Sequence, residues 1–383
     1  MINESEIAEK SGQTRLDVGL GNRCYPIHIA PGLLESVAAY VPGRLNVRKA
    51  FIITEANVAA QYCRPFKDHL DTYAHSVTEL VLPPGESSKS FESYHRIQEW
   101  LFANHVDRNS IIFALGGGVV GDIAGFAAAT CMRGIDYVQV PTSLLAQVDS
   151  AVGGKTAINV AAGKNMVGAF YQPLTVIADT QTLKTLPARE LRCGYAEIVK
   201  YALIQDGNFL QYLQEGYSDL FNLDDKVLSY VIERSCRIKA GIVERDEYEH
   251  GMRKWLNFGH TFGHALEAAC GYDERLLHGE AVAIGMVQAG WLSVKLGYLD
   301  ERTYITLRDH LAAAGLPICP AEITGLRKSR IDDLIALMRH DKKATNAGLS
   351  FVLLEDIGHC EAIHDVAEDT VYEAIEETWT LWT

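Results

Sequence analysis

Short runs of apolar and β-branched residues alternate with longer amphipathic segments between residues 46 and 180. The runs AFIIT, SVTELVL, SIIFALG, YVQVP and TVIAD are typical of strands, whereas segments such as SFESYHRIQEWLFANHV are typical of helices. This alternation predicts βαβ units and a largely parallel sheet. Ahead of these units, LDVGLGNRCYPIHIA carries a Gly-Asn pair between alternating apolar residues and predicts a hairpin.

After Leu186 and Pro187 helical periodicity dominates, as in ARELRCGYAEIVKYALI, DKVLSYVIERSCRIKAGIV and GEAVAIGMVQAGWLSVKLG. One exception, LSFVLLEDIGHCEAIH, predicts a late strand pair that a final amphipathic helix follows. We therefore predict an α/β N-terminal domain over residues 1–186, with a mostly parallel, Rossmann-like sheet. A mostly α-helical C-terminal domain is expected over residues 187–383, with a ligand cleft where the two meet.

Composition and charge narrow the function classes. A length of 383 residues favours two domains, and a formal net charge of -14 disfavours nonspecific binding to nucleic acid or an anionic membrane. The eight cysteines are scattered without a CxxC pair, and the first twenty residues lack a signal peptide pattern, so we expect a cytoplasmic location. The longest apolar tract, residues 281–298, is interrupted by Gln288 and Lys295 and predicts a buried helix rather than a membrane span.

A glycine-rich turn lies between a predicted strand and a predicted helix in SIIFALGGGVVGDIAGFAAAT. Three of its glycines fit the GxGxxG pattern: Gly116, Gly118 and Gly121. Such glycines let backbone N–H groups approach a pyrophosphate at a helix N-terminus. No acidic residue ends a strand about 20 residues further on, but Glu55 ends an earlier one, so a variant dinucleotide site is predicted. The alternative is a tight turn that serves only helix–sheet packing.

Glu86 and Lys89, in a second turn, belong either to this site or to an ordinary exposed loop.

Histidines and a carboxylate recur at helical positions in the second half. His260 and His264 are four residues apart in NFGHTFGHALE, and His278 begins the next predicted helix. Glu197 lies within an otherwise apolar helical segment, where burial without a partner would be costly. Each residue alone would more often be a hydrogen-bonded helix residue. Together they predict three ligands with an open position, which is the arrangement of a catalytic zinc.

Cations and amides also occur among glycines and apolar residues rather than on solvated faces. They are Arg133, Lys155, Lys164, Asn165, Lys200, Lys239, Arg253 and Asn257. Arginine and lysine in such settings bind phosphate or carboxylate, although each could instead form a surface salt bridge. Their number favours a polyanionic substrate.

These segments, in this order, resemble the 3-dehydroquinate synthases from about residue 15 onward. The resemblance rests on GGGVVGDIAGFAAAT, RGIDYVQVPTSLLAQVDSAVGGKTAIN, GKNMVGAFYQP, GYAEIVKYALI, LNFGHTFGHALE and HGEAVAIGM. It implies that Glu197, His260 and His278 bind a divalent metal, Zn²⁺ or alternatively Co²⁺, with His264 nearby but not a ligand. The sequence departs from the family pattern at two places. Ser143 stands in PTS where the family has PTT, and Asp149 is followed by Ser150 and Ala151 rather than by two serines.

The resemblance also implies an NAD site and a substrate site. The residues implied for NAD are Glu55, Asn57, Glu86, Lys89, Gly118, Val119, Val120, Gly121, Asp122, Thr142, Ser143, Lys155, Lys164, Thr182, Leu183, Lys184 and Thr185. The residues implied for substrate and catalysis are Arg133, Asp149, Lys155, Lys164, Asn165, Lys200, Lys239, Arg253, Asn257, His264 and a lysine of DKK, either Lys342 or Lys343.

The implied reaction converts 3-deoxy-D-arabino-heptulosonate 7-phosphate into 3-dehydroquinate and phosphate, a lyase step of the shikimate pathway towards aromatic amino acids. Transient oxidation by NAD acidifies a C–H bond, phosphate leaves, the hydride returns, and an aldol step closes the ring. His264 is our candidate proton relay, and Arg133, Lys155 and Asn165 would orient the phosphate. The family's tendency suggests a homodimer.

Three alternatives stay open. Related cyclases make C7 cyclitols or an inosose, but Asn257 and the QVDSAVGGK tract are intact here, which favours dehydroquinate. A metal-dependent polyol dehydrogenase would share the two-domain plan, yet it would consume NAD and needs fewer phosphate-directed cations. A non-catalytic binding protein would be expected to lack a ligand or a phosphate contact.

Overall fold

The computed structural model describes residues 13–161, 163–341 and 349–380. The N-terminal extension and both lysines of the DKK segment, Lys342 and Lys343, lie outside these ranges. The chain forms two compact units. Residues 1–186 with 223–244 make the first, and residues 187–222 with 245–383 make the second.

A seven-stranded sheet forms the centre of the first unit. Its strands are β1 (Thr14–Val18), β2 (Tyr25–Ala30), β3 (Lys49–Glu55), β4 (Ser76–Leu82), β5 (Ile111–Gly116), β6 (Asp136–Pro141) and β9 (Thr175–Asp179). The spatial order is β1-β2-β9-β6-β5-β3-β4, and every pair is parallel except the β1–β2 hairpin. The predicted fold class, with its mostly parallel sheet and N-terminal hairpin, is confirmed. All six residues of β5 are buried, as expected of a central strand that is covered on both faces.

Helices cover both faces of the sheet. Helices α2 (Phe91–Ala103) and α3 (Gly118–Thr130) share one hydrophobic cluster with Phe51 and Ile53 of β3. Helix α1 (Arg64–Asp71) and the 3-10 segment Leu33–Tyr40 share the other cluster with Ile52, which lies between Phe51 and Ile53 on β3. Because successive side chains of a strand point to opposite faces, one apolar run such as AFIIT supplies both clusters.

A second hairpin in the first unit was not predicted. Strands β7 (Lys155–Val160) and β8 (Gly163–Phe170) pair in antiparallel fashion, in a tract for which we predicted no strand. The hairpin packs against α3, where Gly125 faces Thr156 so closely that a Cβ would lie 2.5 Å from its methyl carbon. This backbone approach, which the sequence does not signal, holds the hairpin on the helix.

Helix α6 (Asp225–Arg245) lies almost entirely in the first unit, although we expected residues 187–383 to form one domain. Its side chains explain why. The Lys239 ammonium donates to the Asp149 carboxylate at 2.7 Å, and the Cys236 thiol donates to the Gln147 carbonyl oxygen at 3.2 Å. Helical periodicity predicts the helix but not the unit against which it packs.

The second unit is mainly helical. It contains α4 (Ala188–Gln205), α5 (Gly207–Phe221), α7 (His260–Ala269), α8 (His278–Lys295), α9 (Glu301–Ala313), α10 (Ile331–Asp341) and α11 (Glu368–Glu377), with the hairpin β10 (Leu349–Asp356) and β11 (His359–Val366). Helix α8 packs against α4, α7, α9 and β10, which accounts for its long apolar sequence. Within the described ranges, no helix combines the length and apolar character needed to cross a membrane.

Candidate active site

Three side chains from three helices of the second unit converge. Glu197 is fully buried on α4, and His260 and His278 are the first residues of α7 and α8. The Nε2 atoms of His260 and His278 lie 3.5 and 3.6 Å from the same oxygen, Oε1 of Glu197. One ligand atom from each residue lies within 4.8 Å of the other two. The predicted carboxylate and two of the three predicted histidines therefore face a common point.

The far nitrogen of each imidazole is bonded to the protein. His260 Nδ1 lies 3.1 Å from the Phe258 carbonyl oxygen, and His278 Nδ1 lies 3.1 Å from Oε2 of Glu267, a buried residue of α7. Acceptors at Nδ1 favour the tautomer that leaves the lone pair on Nε2, the atom that faces Glu197. A carboxylate and two oriented imidazoles are a donor set that fits a divalent ion such as Zn²⁺.

Burial has opposite outcomes at the two imidazoles. It lowers the pKa of His260 to about 3, because the nearby Glu197 only partly offsets the cost of burying a charge. This ring is therefore neutral and its lone pair is available to an ion. Burial also lowers the pKa of His278, but the carboxylates of Glu267 and Glu197 outweigh it and raise that pKa above its usual range. The pocket around His278 thus favours positive charge, which a bound cation would supply.

Glycines allow the helices that carry these ligands to come close together. A Cβ at Gly279, beside His278, would lie 2.3 Å from the carbonyl oxygen of Cys193 on α4. At Gly285, one Cβ would lie 2.0 Å from the carbonyl oxygen of Gly259, which precedes His260. No larger residue fits either backbone contact, so these positions set how closely α8 approaches α4 and α7.

Two further predicted residues lie beside the three ligands. Lys200, one turn after Glu197 and almost fully buried, forms an ion pair with Oε2 of Glu197. The ring of His264 lies 5.4 Å from that of His260 and 6.1 Å from that of His278, measured between centroids. A second possible cation set, His264, Glu267 and His278, shares His278 with the first.

Arg253 and Asn257 lie on the 3-10 segment Met252–Asn257, which directly precedes α7 and packs against α4. The buried Arg253 guanidinium donates to the carbonyl oxygen of Glu247, and its backbone N–H donates to Asp246 at 3.0 Å. The Asn257 amide donates to Glu249 at 3.0 Å. Both predicted substrate residues are thus held by the loop before α7.

In the first unit, the predicted NAD residues follow the carboxyl ends of parallel strands. Glu55 ends β3, Glu86 and Lys89 follow β4, residues 118–122 follow β5, Thr142 and Ser143 follow β6, and residues 182–185 follow β9. The register pairs Gly116 with Pro141 and Glu55 with Leu82, so these strands end together. They form one edge of the sheet, where ligands of open α/β sheets bind.

Side-chain contacts connect several of these segments. The Gln147 amide donates to the carbonyl oxygens of Pro141 and Asp179 and to the Thr182 hydroxyl, at 3.1, 3.0 and 3.2 Å. It thereby joins the ends of β6 and β9. Thr185, at the end of the last segment, shares a 2.6 Å hydrogen bond with the Tyr62 hydroxyl.

Glu55 and Lys89 have structural partners as well. The Glu55 carboxylate accepts from the backbone N–H groups of Asn57 and Val58, at 2.9 and 3.0 Å, and so caps the turn that follows β3. The buried Lys89 ammonium forms an ion pair with Asp122 near the start of α3. The turn after β4 is therefore bonded to the glycine-rich turn.

The predicted substrate residues of the first unit fall into two groups. Asp149 and Lys239 form the ion pair described above. Arg133 and Asn165 have left-handed backbones, with φ of 68° and 57°, and Lys155 and Lys164 begin β7 and lie near the start of β8. Left-handed backbone in residues other than glycine is strained and clusters at functional sites.

Sequence reasoning missed Gln147 and Glu267. The sequence did carry a signal for Glu267, which lies three residues after His264. It is a carboxylate within an apolar helix, and the same feature singled out Glu197 in α4. Gln147 had none, since its three bonds join segments that are distant in sequence.

Solved structures of similar fold define a class of proteins to which this geometry corresponds. A 2-deoxy-scyllo-inosose synthase complexed with carbaglucose-6-phosphate, NAD⁺ and Co²⁺ matches with a TM-score of 0.84 and 28% identity, covering 95% of this chain and 100% of that one. The 2-epi-5-epi-valiolone synthase ValA of Streptomyces hygroscopicus, with NAD⁺ and Zn²⁺ bound, matches with a TM-score of 0.82 and 26% identity, covering 92% of this chain and 96% of that one. The class is that of the sugar-phosphate cyclases.

Sequence comparison identifies the family within that class. The 3-dehydroquinate synthase N-terminal family matches residues 79–193, and the corresponding C-terminal family matches residues 194–344. A 3-dehydroquinate synthase of Rhodospirillum rubrum is 48% identical, over 90% of this chain and 89% of that protein. One from Bradyrhizobium diazoefficiens is 46% identical, over 96% and 97%. The chain belongs to the 3-dehydroquinate synthase family.

Proposed function

We propose that this protein is a lyase that converts 3-deoxy-D-arabino-heptulosonate 7-phosphate into 3-dehydroquinate and phosphate, with NAD and a divalent metal as cofactors. The observation that carries the proposal is the convergence of Glu197, His260 and His278, in a member of this family, on one point of the second unit. The conversion involves no net redox change, so NAD would act catalytically.

Glu197, His260 and His278 would hold the metal, and the carboxyl edge of the sheet would hold NAD. When bound, the metal polarises the substrate alcohol and NAD accepts its hydride transiently. Lys200 balances the charge of Glu197. Glu267 keeps His278 oriented through Nδ1, which supports assigning Nε2 to the metal. His264, beside both ligand histidines, is the proposed proton relay.

Arg133, Lys155 and Asn165 would bind and orient the substrate phosphate. As a dianion, that phosphate can remove the neighbouring proton as it leaves, so the protein needs to position it rather than supply a base. The left-handed backbones of Arg133 and Asn165 support this role, because such conformations persist where surrounding structure imposes them. Asp149, Lys164, Lys239, Arg253 and Asn257 are proposed as further substrate contacts, together with Lys342 or Lys343.

The test is phosphate release from the heptulosonate phosphate by purified protein. We expect release that requires added metal and substoichiometric NAD, with no accumulation of NADH absorbance. Glucose 6-phosphate and a heptulose 7-phosphate serve as competing substrates. Faster turnover of either would assign the protein to another cyclase activity and contradict the proposal.

A polyol dehydrogenase would behave differently in the same assay. Glycerol dehydrogenase of Schizosaccharomyces pombe matches with a TM-score of 0.63 at 16% identity, covering 91% of this chain and 87% of that one, a likeness of fold alone. Net NADH production from a polyol, without phosphate release, would overturn the lyase assignment.

We also propose that the protein acts as a cytoplasmic homodimer that binds neither nucleic acid nor membranes. The net charge of -14 supports the last two points, because phosphate-rich surfaces repel an acidic protein at long range. Light scattering after size-exclusion chromatography tests the dimer, and a mass of one chain would contradict it.

A further inference from the structure

An irregularity in the β7–β8 hairpin leaves residues of both strands, Asn159 among them, outside regular pairing. The register runs from Ile158 opposite Val167 to Val160 opposite Gly163, so Asn159 of β7 lies opposite three residues of β8, 164–166. Such bulges release backbone groups and redirect side chains, and they are frequent next to active sites. Asn159 is therefore available for contacts outside its own hairpin.

Asn159 makes three hydrogen bonds that lead to predicted site residues. Its backbone N–H donates to the Lys89 carbonyl oxygen at 2.8 Å, and its Nδ2 donates to Oε1 of Glu86 at 2.7 Å. Its Oδ1 accepts from the backbone N–H of Asn165 at 2.9 Å. One side chain thus bonds both the turn after β4 and the start of β8.

The two segments that Asn159 joins have different proposed tasks. Glu86 and Lys89 belong to the proposed NAD edge, and Lys89 is anchored to Asp122 of the glycine-rich turn. Asn165 is a proposed phosphate contact, and the bond from Asn159 holds the N–H of its left-handed backbone. The Asn159 amide bonds the two segments through different atoms: Nδ2 donates to Glu86, and Oδ1 accepts from the Asn165 N–H.

We propose that Asn159 is a positioning residue that connects the cofactor turn to the substrate-phosphate segment. The inference rests on the proposed function for the identity of the two ligands. Cofactor bound against Glu86 and Lys89 restrains Asn159, and Asn159 in turn restrains the Asn165 backbone. Binding of NAD then favours the phosphate-binding conformation, and by linkage the phosphorylated substrate favours NAD to the same degree.

Two substitutions separate the two ends of the amide. Asn159→Ala removes both side-chain bonds, so the NAD dissociation constant and the KM for the heptulosonate phosphate should each rise about three- to tenfold. Asn159→Asp keeps an acceptor for the Asn165 N–H but sets a carboxylate against Glu86. We expect it to weaken NAD binding more than alanine does, while KM at saturating NAD stays within about twofold of wild type.

Calorimetry measures NAD binding, and phosphate release measures KM. Asn109→Ala is the matched control, because Asn109 lies in the same unit and donates through Nδ2 to the Val47 carbonyl oxygen at 3.0 Å. Both constants should be unchanged in it. The proposal is supported if aspartate weakens NAD binding more than alanine does, while alanine raises KM more than aspartate does. If the same variant is worse in both constants, the substitutions cause general damage and the proposal is overturned.

Amide hydrogen exchange provides a measurement without turnover. NAD should slow exchange in residues 163–170 of the wild type and leave that segment unaffected in Asn159→Ala. An equal response in both proteins would refute the connection. If the wild type binds NAD but releases no phosphate, the proposed function fails while this exchange comparison still tests Asn159.

Discussion

His278 has a contact at each ring nitrogen, with Nε2 facing Glu197 and Nδ1 facing Glu267. The buried Glu197 carboxylate also contacts His260 and Lys200, so it has three basic side chains as partners. Glu267 has a different role, because it contacts the ligand rather than the point where the ligands meet. The two carboxylates can therefore be separated by mutation.

Glu267→Gln should weaken metal binding about 10- to 100-fold, because His278 loses the charged acceptor that orients it and increases its basicity. Competition titration against a chromophoric chelator measures the dissociation constant. Glu280→Gln is the control, since Glu280 lies two residues from His278 but pairs with Arg189 at 2.6 Å. Equal loss in both variants would show that the effect comes from the helix end and not from Glu267.

His310 on α9 is a second buried imidazole, with Nε2 2.9 Å from the Tyr195 hydroxyl. Burial lowers its pKa to about 4 from 6.5. The unfolded chain therefore binds this proton more readily below about pH 6.5. Above that pH, the titration of His310 does not change the free energy of unfolding. As the pH decreases towards 4, this titration lowers the free energy of unfolding by roughly 3 kcal/mol in all.

His310→Gln should flatten the loss of stability between pH 6.5 and 4, as measured by urea unfolding at a series of pH values. Glutamine can still bond the Tyr195 hydroxyl but carries no titrating group. A His310→Gln curve that parallels the wild-type curve would be inconsistent with this origin of acid sensitivity.

At the scale of elements, periodicity predicted the parallel strands and most of the helices, because each has one apolar face or run. Helix α5 and the β7–β8 hairpin were missed. Asp206 caps helix α5, since its carboxylate accepts from the Phe209 N–H at 3.1 Å, but Gly216 interrupts the apolar pattern of the helix. The hairpin depends on backbone contact with α3, which no local pattern contains. The glycines between α4, α7 and α8 are unfavourable within helices, and the close packing of these helices supplies the reason for them.

Gly279→Ala should destabilise the second unit by about 1–3 kcal/mol, because the added carbon would collide with the backbone of Cys193. Metal affinity should fall too, since α8 carries His278 at its first position. Gly216→Ala, on a helix with nothing within 4 Å of the new carbon, should instead stabilise by about 0.5–1 kcal/mol. Denaturant titrations measure both, and destabilisation by both variants would contradict the packing argument.

For the whole molecule, the three proposed metal ligands lie on three different helices, α4, α7 and α8. An ion that binds the folded state alone adds its binding free energy to stability, about 4 kcal/mol when free metal exceeds the dissociation constant a thousandfold. The metal is thus expected to stabilise the second unit as well as to serve the reaction.

Chelation should lower the thermal midpoint of the wild type by several degrees and leave that of His278→Ala unchanged, because the variant has already lost the ion. Activity of the variant should be absent with or without added metal. Differential scanning calorimetry gives the midpoints. Full turnover by metal-free His278→Ala protein would disprove the ligand assignment.

The sequence by itself determined the strand and helix periods, the four-residue spacing of His260 and His264, the acidic charge and the long motifs that signal the family. These properties are local, or are sums over the chain. Only the tertiary structure decided which Nδ1 atoms meet an acceptor, that α6 belongs to the first unit, and that Gln147 and Asn159 join distant segments. Such contacts depend on how helices and strands approach one another, which is set by the packing of many side chains together and by no single stretch of sequence.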